Sequence, residues 1–387
     1  KKIEIIGYGG FKERASLQLA VPNGQSGSGL TILTGPNNSG KSSILECLRT
    51  RSGYQTVSFT AGTRNASIES VEIKFQIGDR EEVIRSIARG SSETERINVD
   101  QSFQIFVLPS RRAFNPYFGR HSLSREEYLN NTTLPAQRSS VLSGFEHRLF
   151  NILKAPQEFN KILNEALGFE ASWTIDQADH GQYFLKFFNR DQAHSSDGMG
   201  EGIVSIFSIV DSLYDSVAGN VVVIDEPELS LHPSLQKRVK NLLLRFSKDR
   251  QIVISTHSPY FVDVSALGAG AHLARITATE NGTKIFQLSQ ESKSIIHKLA
   301  SDNIYNPHVF GLDARELFFL EDNIILTEGQ EDVLLFPSIF SQLGTPIPGN
   351  FFGWGAGGAS NIIQICRIFK DLGFKNVSAI FDADKTT

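Results

Sequence analysis

At about 150 residues per domain, the 387 residues of this chain make room for two or three domains, and 40% hydrophobic, 10% aromatic and 21% charged residues exclude a disordered chain, a collagen-like chain and a coiled-coil rod. The net charge of −4, from 38 basic and 42 acidic residues, is not that of a polybasic nucleic-acid binder. Cys47 and Cys366 are too few for a disulfide framework or a zinc site, no apolar run reaches 18 residues, and no basic-plus-apolar leader opens the chain; a cytoplasmic protein with free thiols and no membrane contact is the expectation.

In chain order, Ile3–Tyr8, Leu17–Val21 and Leu30–Thr34 read as strands separated by Gly9-Gly10 and by a Gly/Ser-rich turn over 23–29. A helix follows through Leu45 and Leu48. Apolar and polar residues alternate over 54–60, 68–77 and 82–88, which predicts antiparallel strands, and Phe103–Leu108 is an apolar strand closed by Pro109. The stretch from Ser110 to about Ser140 is polar and carries Arg111, Arg112, Arg120, Arg125 and Arg138; these arginines are DNA contacts, dimer contacts or a solvated face. Helical spacing runs from Leu142 to Leu167, so a helical insertion is expected over about 110–195. Strands at Tyr183–Phe188, Val221–Ile224 and Gln251–Ser255 alternate with helices at Gly202–Tyr214 and Pro233–Phe246, and Asn281-Gly282 turns a hairpin between Leu273–Thr277 and Lys284–Leu288. After connecting helices over 291–322 a fresh α/β pattern begins: strand Ile324–Thr327, helix Val333–Gln342, a strand near Asn350–Gly353, helix Ala359–Leu372 and strand Val377–Phe381. The boundaries expected are 1–290, 291–322 and 323–387.

Gly35-Pro36-Asn37-Asn38-Ser39-Gly40-Lys41-Ser42, followed by Ser43, fits G-x-x-x-x-G-K-[ST] between an apolar strand and a helix. The glycines let backbone N–H groups curl round phosphates, and the helix N-terminus adds positive potential. Lys41 is expected on the β/γ-phosphates of ATP and Ser42 on Mg²⁺. The run Val221–Ile224 ends in Asp225-Glu226: a carboxylate at the end of a buried strand can hold the metal (Asp225), and its neighbour can act as general base on a water (Glu226). His257, at the end of the next buried strand, is placed to reach a γ-phosphate.

A second acidic constellation lies near the end of the chain. Segment 321–387 holds eight acids against four bases, and the rest of the chain balances at 34 against 34. Ile325–Thr327 leads into Glu328-Gly329, with Asp332 four residues after Glu328, one helical turn on and on the same side. Ala379–Phe381 leads into Asp382-Ala383-Asp384, where alternate residues of an extended chain point the same way. Glu328, Asp332, Asp382 and Asp384 together would make an oxygen site for Mg²⁺ or Mn²⁺, able to activate water and stabilise a leaving oxygen in phosphodiester cleavage.

The set Gly35–Ser42, Ser195-Ser196-Asp197-Gly198, Asp225-Glu226-Pro227-Glu228, Leu231-His232-Pro233 and Thr256-His257-Ser258 resembles an ABC-type ATPase head of the SMC, RecF and OLD group. The two acidic strand ends, with the Gly355-Ala356-Gly357-Gly358 turn between them, resemble a TOPRIM domain. A TOPRIM domain after such a head is similar to the OLD family of ATP-dependent endonucleases, and the likeness covers nearly the whole chain. It implies an α/β fold: an ABC-type P-loop head with a helical insertion, then a TOPRIM domain. It implies ATP held between two heads of a homodimer or higher homo-oligomer, with Ser196 and Gly198 touching the partner's nucleotide. Here the stretch reads Ser-Ser-Asp-Gly-Met-Gly-Glu-Gly and departs from the group's Leu-Ser-Gly-Gly-Gln. The lid region falls to Gln101, Gln104 or the Arg111/Arg112 pair. The resemblance further implies DNA as substrate and an effector role in prokaryotic antiphage defence, as in Gabija systems with a helicase or retrons with a reverse transcriptase and its msDNA. The family's TOPRIM continues past Asp-x-Asp with more strands, further acids and often a lysine, so an incomplete domain with one metal site is expected over 323–387. Two alternatives remain open: a nucleotide-gated sensor or scaffold with an inactive TOPRIM, and a RecF/SMC-like repair ATPase.

Overall fold

Strands buried on both faces need apolar residues at nearly every position, and three runs meet that demand: LTILT, VVVID and QIVIS are buried along their whole length. The computed structural model, in which they lie side by side, describes residues 1–52, 58–59, 62–87, 93–100, 105–112, 117–124, 127, 145–189, 192–195, 198–300, 314–347, 349–353 and 355–383.

The chain opens with strands β1 (Lys2–Ile6), β2 (Ala15–Gln18) and β3 (Leu30–Thr34), helix α1 (Lys41–Arg51), and strands β4 (Glu72–Ile77), β5 (Arg80–Ser86), β6 (Thr94–Ile97) and β7 (Ile105–Leu108). Helices α2 (Phe145–Ile152) and α3 (Gln157–Leu167) precede β8 (Ser172–Gln177), β9 (Tyr183–Asn189) and β10 (Gln192–Ser195). Then come α4 (Glu201–Asp215), β11 (Val221–Asp225), α5 (Pro233–Phe246), β12 (Gln251–Ser255), α6 (Val264–Ala269), the hairpin β13 (His272–Thr279) and β14 (Gly282–Gln287), and α7 (Gln290–Ala300). The last elements are β15 (Ile324–Thr327), α8 (Gln330–Gln342), β16 (Asn350–Phe351), α9 (Ala359–Asp371) and β17 (Val377–Ile380).

The central sheet has the order β14-β13-β3-β12-β11-β7, with parallel pairing from β13 through β7. Alternate residues of its strands serve two cores. Val221 and Val223 pack with Ile44, Leu45 and Leu48 of α1 and with Ile3, Ile5, Ile73 and Phe75 of the antiparallel sheet β2-β1-β4-β5-β6. Val222 and Ile224 face a larger core built by α2–α5, the antiparallel sheet β10-β9-β8 and the C-terminal elements, where Ile324, Leu326, Ile365 and Phe369 join it.

The expected α/β architecture holds, with local differences. The helical stretch divides into α2 and α3, and Pro156, which has no N–H to donate, stands at the N-cap of α3, where none is needed. The insertion also carries β8 and β10 beside the expected strand at 183–188. Strand β6 was not marked by the sequence: TERI is short and polar, as suits the edge of a sheet. The strand expected over 54–60 falls mostly outside the described residues, and Ser58 and Phe59 belong to no strand. Of the connecting segment, α7 and a 3₁₀ turn at Ala314–Phe319 are described. Among the described residues no helix is long and apolar enough to cross a membrane.

The C-terminal sheet, β16-β15-β17, is parallel, with Thr327 of β15 opposite Ile380 of β17. It is fastened to the central sheet by Arg275 on β13, a fully buried residue. The Arg275 guanidinium donates to Asp322 Oδ1 (3.2 Å) and lies 3.8 Å from the ring centre of Phe374. Asp371 accepts from the Ser289 amide (2.9 Å), and Gly373 sits where a Cβ would come within 2.5 Å of the Phe286 ring.

Candidate functional site

Register decides which strand ends meet. Leu33 of β3 pairs with Ser255 of β12, and Ser255 pairs with Asp225 of β11. The loop after β3, the Ser255–His257 turn and the Asp225-Glu226 pair therefore emerge at one edge of the sheet.

The loop Gly35–Gly40 needs its glycines for room and for dihedrals. Gly35 has φ +134°, and a Cβ there would stand 2.1 Å from the Ile276 carbonyl oxygen; Gly40, at φ +105°, caps α1. Asn37 and Asn38 are exposed, Asn38 at φ +62°. Lys41 is buried, and its Nζ donates to the carbonyls of Gly35 (2.9 Å) and Pro36 (2.8 Å), which brings the ammonium back over the loop. Ser39 is also buried, and its Oγ has no hydrogen-bond partner among the described residues. Ser42 and Ser43 lie half-buried in the first turn of α1, Ser43 against Gly9. A cradle closed to any Cβ, a buried unsatisfied hydroxyl and an ammonium at a helix N-terminus fit a phosphate group.

Asp225 is buried and its Oδ1 accepts from the Ser255 hydroxyl. Glu226 is half-buried at φ +47°, an uncommon backbone region for a side-chain-bearing residue, and its amide donates to the Ser255 carbonyl (2.9 Å). Glu228 accepts from the His257 amide (2.6 Å) and the Thr256 hydroxyl (2.8 Å), so the acidic turn holds the backbone of the histidine turn. Burial pushes the Glu228 carboxyl up, the charge of Glu226 adds to this, and the two hydrogen bonds oppose it. The His257 residue itself is exposed.

The main departure from the sequence reading is Arg112. It is neither a DNA contact nor a solvated face: it is 3% exposed and donates Nε to Ser205 Oγ (2.7 Å), Nη1 to the carbonyls of Pro109 (2.9 Å) and Asp225 (2.7 Å), and Nη2 to the Glu226 carbonyl (2.9 Å). Burial brings its guanidinium down to about 10, opposed by the carboxylates of Glu228, Asp225 and Glu226; it stays charged at neutral pH. The only sequence signal for this role was an arginine just after an apolar strand. Arg111 and Arg120 are exposed; Arg125 and Arg138, like Gln101 and Gln104, lie outside the described residues. So do Ser196 and Asp197, while Gly198 donates its amide to the Ser195 carbonyl (2.9 Å) in the turn before α4.

At the C-terminal sheet, parallel pairing of β15 with β17 brings Glu328 and Asp382 to neighbouring strand ends, and the Asp382 amide donates to Glu328 Oε1 (3.0 Å). The glycine turn wraps the Glu328 backbone: Gly357 N donates to the Glu328 carbonyl (2.9 Å) and Ala356 N to the Thr327 carbonyl (2.7 Å). Asp332 Oδ2 accepts from the Gly329 amide (3.1 Å) and caps α8. Asp384 lies outside the described residues, and among those described no three His, Cys, Asp or Glu side chains stand where they could share one metal ion. Carboxylates are the donors a divalent cation takes, and Glu328 and Asp382 bring two of them to adjacent strand ends, short of a full set.

Residues 30–263 match a family model headed "AAA domain", whose description also carries the words AbiEii toxin and Type IV TA system. Residues 319–384 match "Overcoming lysogenization defect protein-like, TOPRIM domain". Over 171 residues, 41% of the chain, the sequence is 31% identical to an OLD nuclease of Thermus scotoductus, and it spans 30% of that relative's length. It is 24% identical over 316 residues to the Septu protein PtuA of Bacillus thuringiensis, covering 69% of this chain and 74% of that protein. Among solved structures, the Smc head bound to the C-winged helix domain of ScpA aligns with a TM-score of 0.49 at 15% identity, over 76% of this chain and 98% of that one. An AAA-type ATPase domain followed by an OLD-like TOPRIM domain implies use of a nucleotide and a divalent metal.

Proposed function

We propose, from the premise that the chain belongs to the AAA-domain family matched over residues 30–263 and carries an OLD-like TOPRIM segment, that it is an ATP-binding and ATP-hydrolysing, metal-dependent DNA endonuclease of the OLD type. The observation that carries the reading is the meeting of Glu328 and Asp382, far apart in the chain, at the ends of paired parallel strands downstream of a phosphate loop. In this reading residues 1–290 form the ATPase unit and 323–387 the nuclease unit, joined by 291–322.

At the ATPase edge Lys41, the Ser39 hydroxyl and the loop amides bind and orient the phosphates, with Asn37, Asn38 and Ser43 at the rim. Ser42 and Asp225 hold Mg²⁺, which neutralises phosphate charge when bound. Glu226 accepts the proton of the attacking water, and His257 approaches the γ-phosphate from the neighbouring turn. Ser196 and Gly198 would contact the nucleotide of a second copy in a homodimer. At the C-terminal edge Glu328 and Asp382, with Asp384 and Asp332 as further oxygen donors, hold Mg²⁺ or Mn²⁺ for phosphodiester hydrolysis. DNA is the substrate, and antiphage defence, alone or beside a helicase or reverse transcriptase, is the setting this chemistry suits.

The test is plasmid nicking with Mg²⁺ or Mn²⁺, with ATP turnover measured in parallel. Asp382→Ala with Asp384→Ala is expected to abolish nicking and spare turnover, and Glu226→Gln to cut turnover to a slow, still measurable rate while nucleotide still binds. Nicking that survives the double change refutes the metal assignment. The commitment of the Asp332 carboxylate to its helix cap favours a second reading, a nucleotide-gated scaffold, for which no metal would support cleavage while assembly still depended on Lys41.

A further inference from the structure

We propose that Arg112 is a positioning residue for the ATPase reaction: its guanidinium sets the direction of the Glu226 carboxylate and ties that direction to helix α4. The proposal rests on the ATPase reading above and deepens it.

Arg112 clamps the backbone on both sides of Glu226. The carbonyls of Asp225 and Glu226 belong to the two peptide planes on either side of the Glu226 Cα, bonded at 2.7 and 2.9 Å by Nη1 and Nη2. The orientations of those planes are the φ and ψ of Glu226. A planar fork bonded to both therefore fixes both dihedrals together, and the Glu226 amide is held by the Ser255 carbonyl as well (2.9 Å). The conformation so fixed, φ +47°, is one a free glutamate seldom adopts and would leave if the clamp were lost.

The same guanidinium reaches α4. Its Nε donates to the hydroxyl of Ser205, in the second turn of the helix that follows the turn at Gly198. Nη1 also anchors to the Pro109 carbonyl, just past the edge strand β7. One rigid plane thus bonds three parts of the fold: the chain after β7, α4, and the strand end that bears the catalytic acids. A displacement of α4 along or about its axis pulls on Nε and reaches the Glu226 backbone through the same plane. The charge also suits the place, since the guanidinium faces the carboxylates of Glu228, Asp225 and Glu226. A lysine would keep the charge and lose the fork, because an ammonium on a flexible stem cannot hold two carbonyls in one plane.

The experiment compares steady-state ATP turnover and the binding of a fluorescent ATP analogue in wild type, Arg112→Lys, Ser205→Ala, Glu226→Gln and the double variant Arg112→Lys/Glu226→Gln. Arg112→Lys is expected to lower kcat by about 10- to 100-fold, the scale on which misplacement of a reacting group acts, with analogue affinity held within about twofold. Ser205→Ala, which cuts only the link to α4, is expected to lower kcat by about 3- to 10-fold, a smaller loss because the clamp on Glu226 remains. Because Arg112 acts through Glu226, the double variant should turn over no more slowly than Glu226→Gln alone. Additive losses in the double variant, or a fall in affinity and thermal stability with kcat unchanged, would mean a merely structural arginine and overturn the proposal. Should Arg112→Lys fail to fold, Ser205→Ala decides: unchanged kcat there refutes the coupling to α4. A wild-type protein that binds the analogue but never turns ATP over removes the ATPase reading itself, and the proposal with it.

Discussion

Replacing Asp322 by alanine takes away the one carboxylate, among the described residues, that faces the buried guanidinium of Arg275, and the cost can be worked from the geometry. Arg275 is 2% exposed. Without Asp322 its remaining partners among the described residues are the carbonyls of Leu372 and Gly373, at 3.4 and 3.5 Å, and the Phe374 ring. Those carbonyls lie beyond the usual range for a strong N–H···O bond. Breaking a fully buried ion pair by removing one partner costs about 3–5 kcal/mol. The Asp322 side chain is 36% exposed, so water can reach the guanidinium once the carboxylate is gone, and the loss should fall to about 1–3 kcal/mol. It should be local, since Asp322 also accepts from the Lys375 amide (3.2 Å) ahead of β17. The assay is amide hydrogen exchange. In Asp322→Ala the amides of β15 and β17 are expected to exchange about 5- to 150-fold faster, with β11 and α1 unchanged. Unaltered protection in β15 and β17, or a loss spread evenly over the central sheet, would refute the idea that Arg275 fastens the two sheets together.

Three further outcomes follow from single side chains. Arg51 and Glu82 form a doubly bonded pair (2.8 and 3.1 Å) with Glu82 wholly buried, so Glu82→Ala should lower the unfolding free energy by about 3–5 kcal/mol in urea titration; a change below about 1 kcal/mol would show the pair to be dispensable. Lys293 is buried on α7 with no side-chain partner among the described residues, and burial brings its ammonium down to about 8. The unfolded chain binds that proton more tightly, so the folded protein carries the full penalty below pH 8 and sheds it as pH rises toward 10.5. Lys293→Met should therefore raise Tm at pH 7 by an amount that shrinks above pH 8, and a gain independent of pH would refute the assignment. Gly355 stands at φ +87°, where a Cβ would lie 2.5 Å from the Gly329 carbonyl, so Gly355→Ala should displace the Glu328 turn and abolish nicking while ATP turnover persists; nicking at the wild-type rate would show the turn to be tolerant.

The sequence by itself determined the buried strands β3, β11 and β12 of the central sheet and the phosphate loop. Strands buried on both faces must be apolar at nearly every position, and a phosphate cradle must have glycine where no Cβ fits, so both leave marks within a few residues of one another. It also marked the two acidic strand ends near the tail. It could not mark β6, β8 or β10, whose short, largely polar sequences resemble loops until neighbouring strands pair with them. Helical spacing set Asp332 one turn after Glu328, but the hydrogen bond its Oδ2 accepts from the Gly329 amide at the start of α8 depends on the geometry of the turn. Arg112 shows the limit most plainly. In the sequence it is one arginine among several in a polar stretch; in the fold it lies against carbonyls 113 and 114 positions away. Which distant oxygens a buried cation meets depends on how strands are ordered in a sheet, and that order is a property of the packed chain rather than of any local pattern.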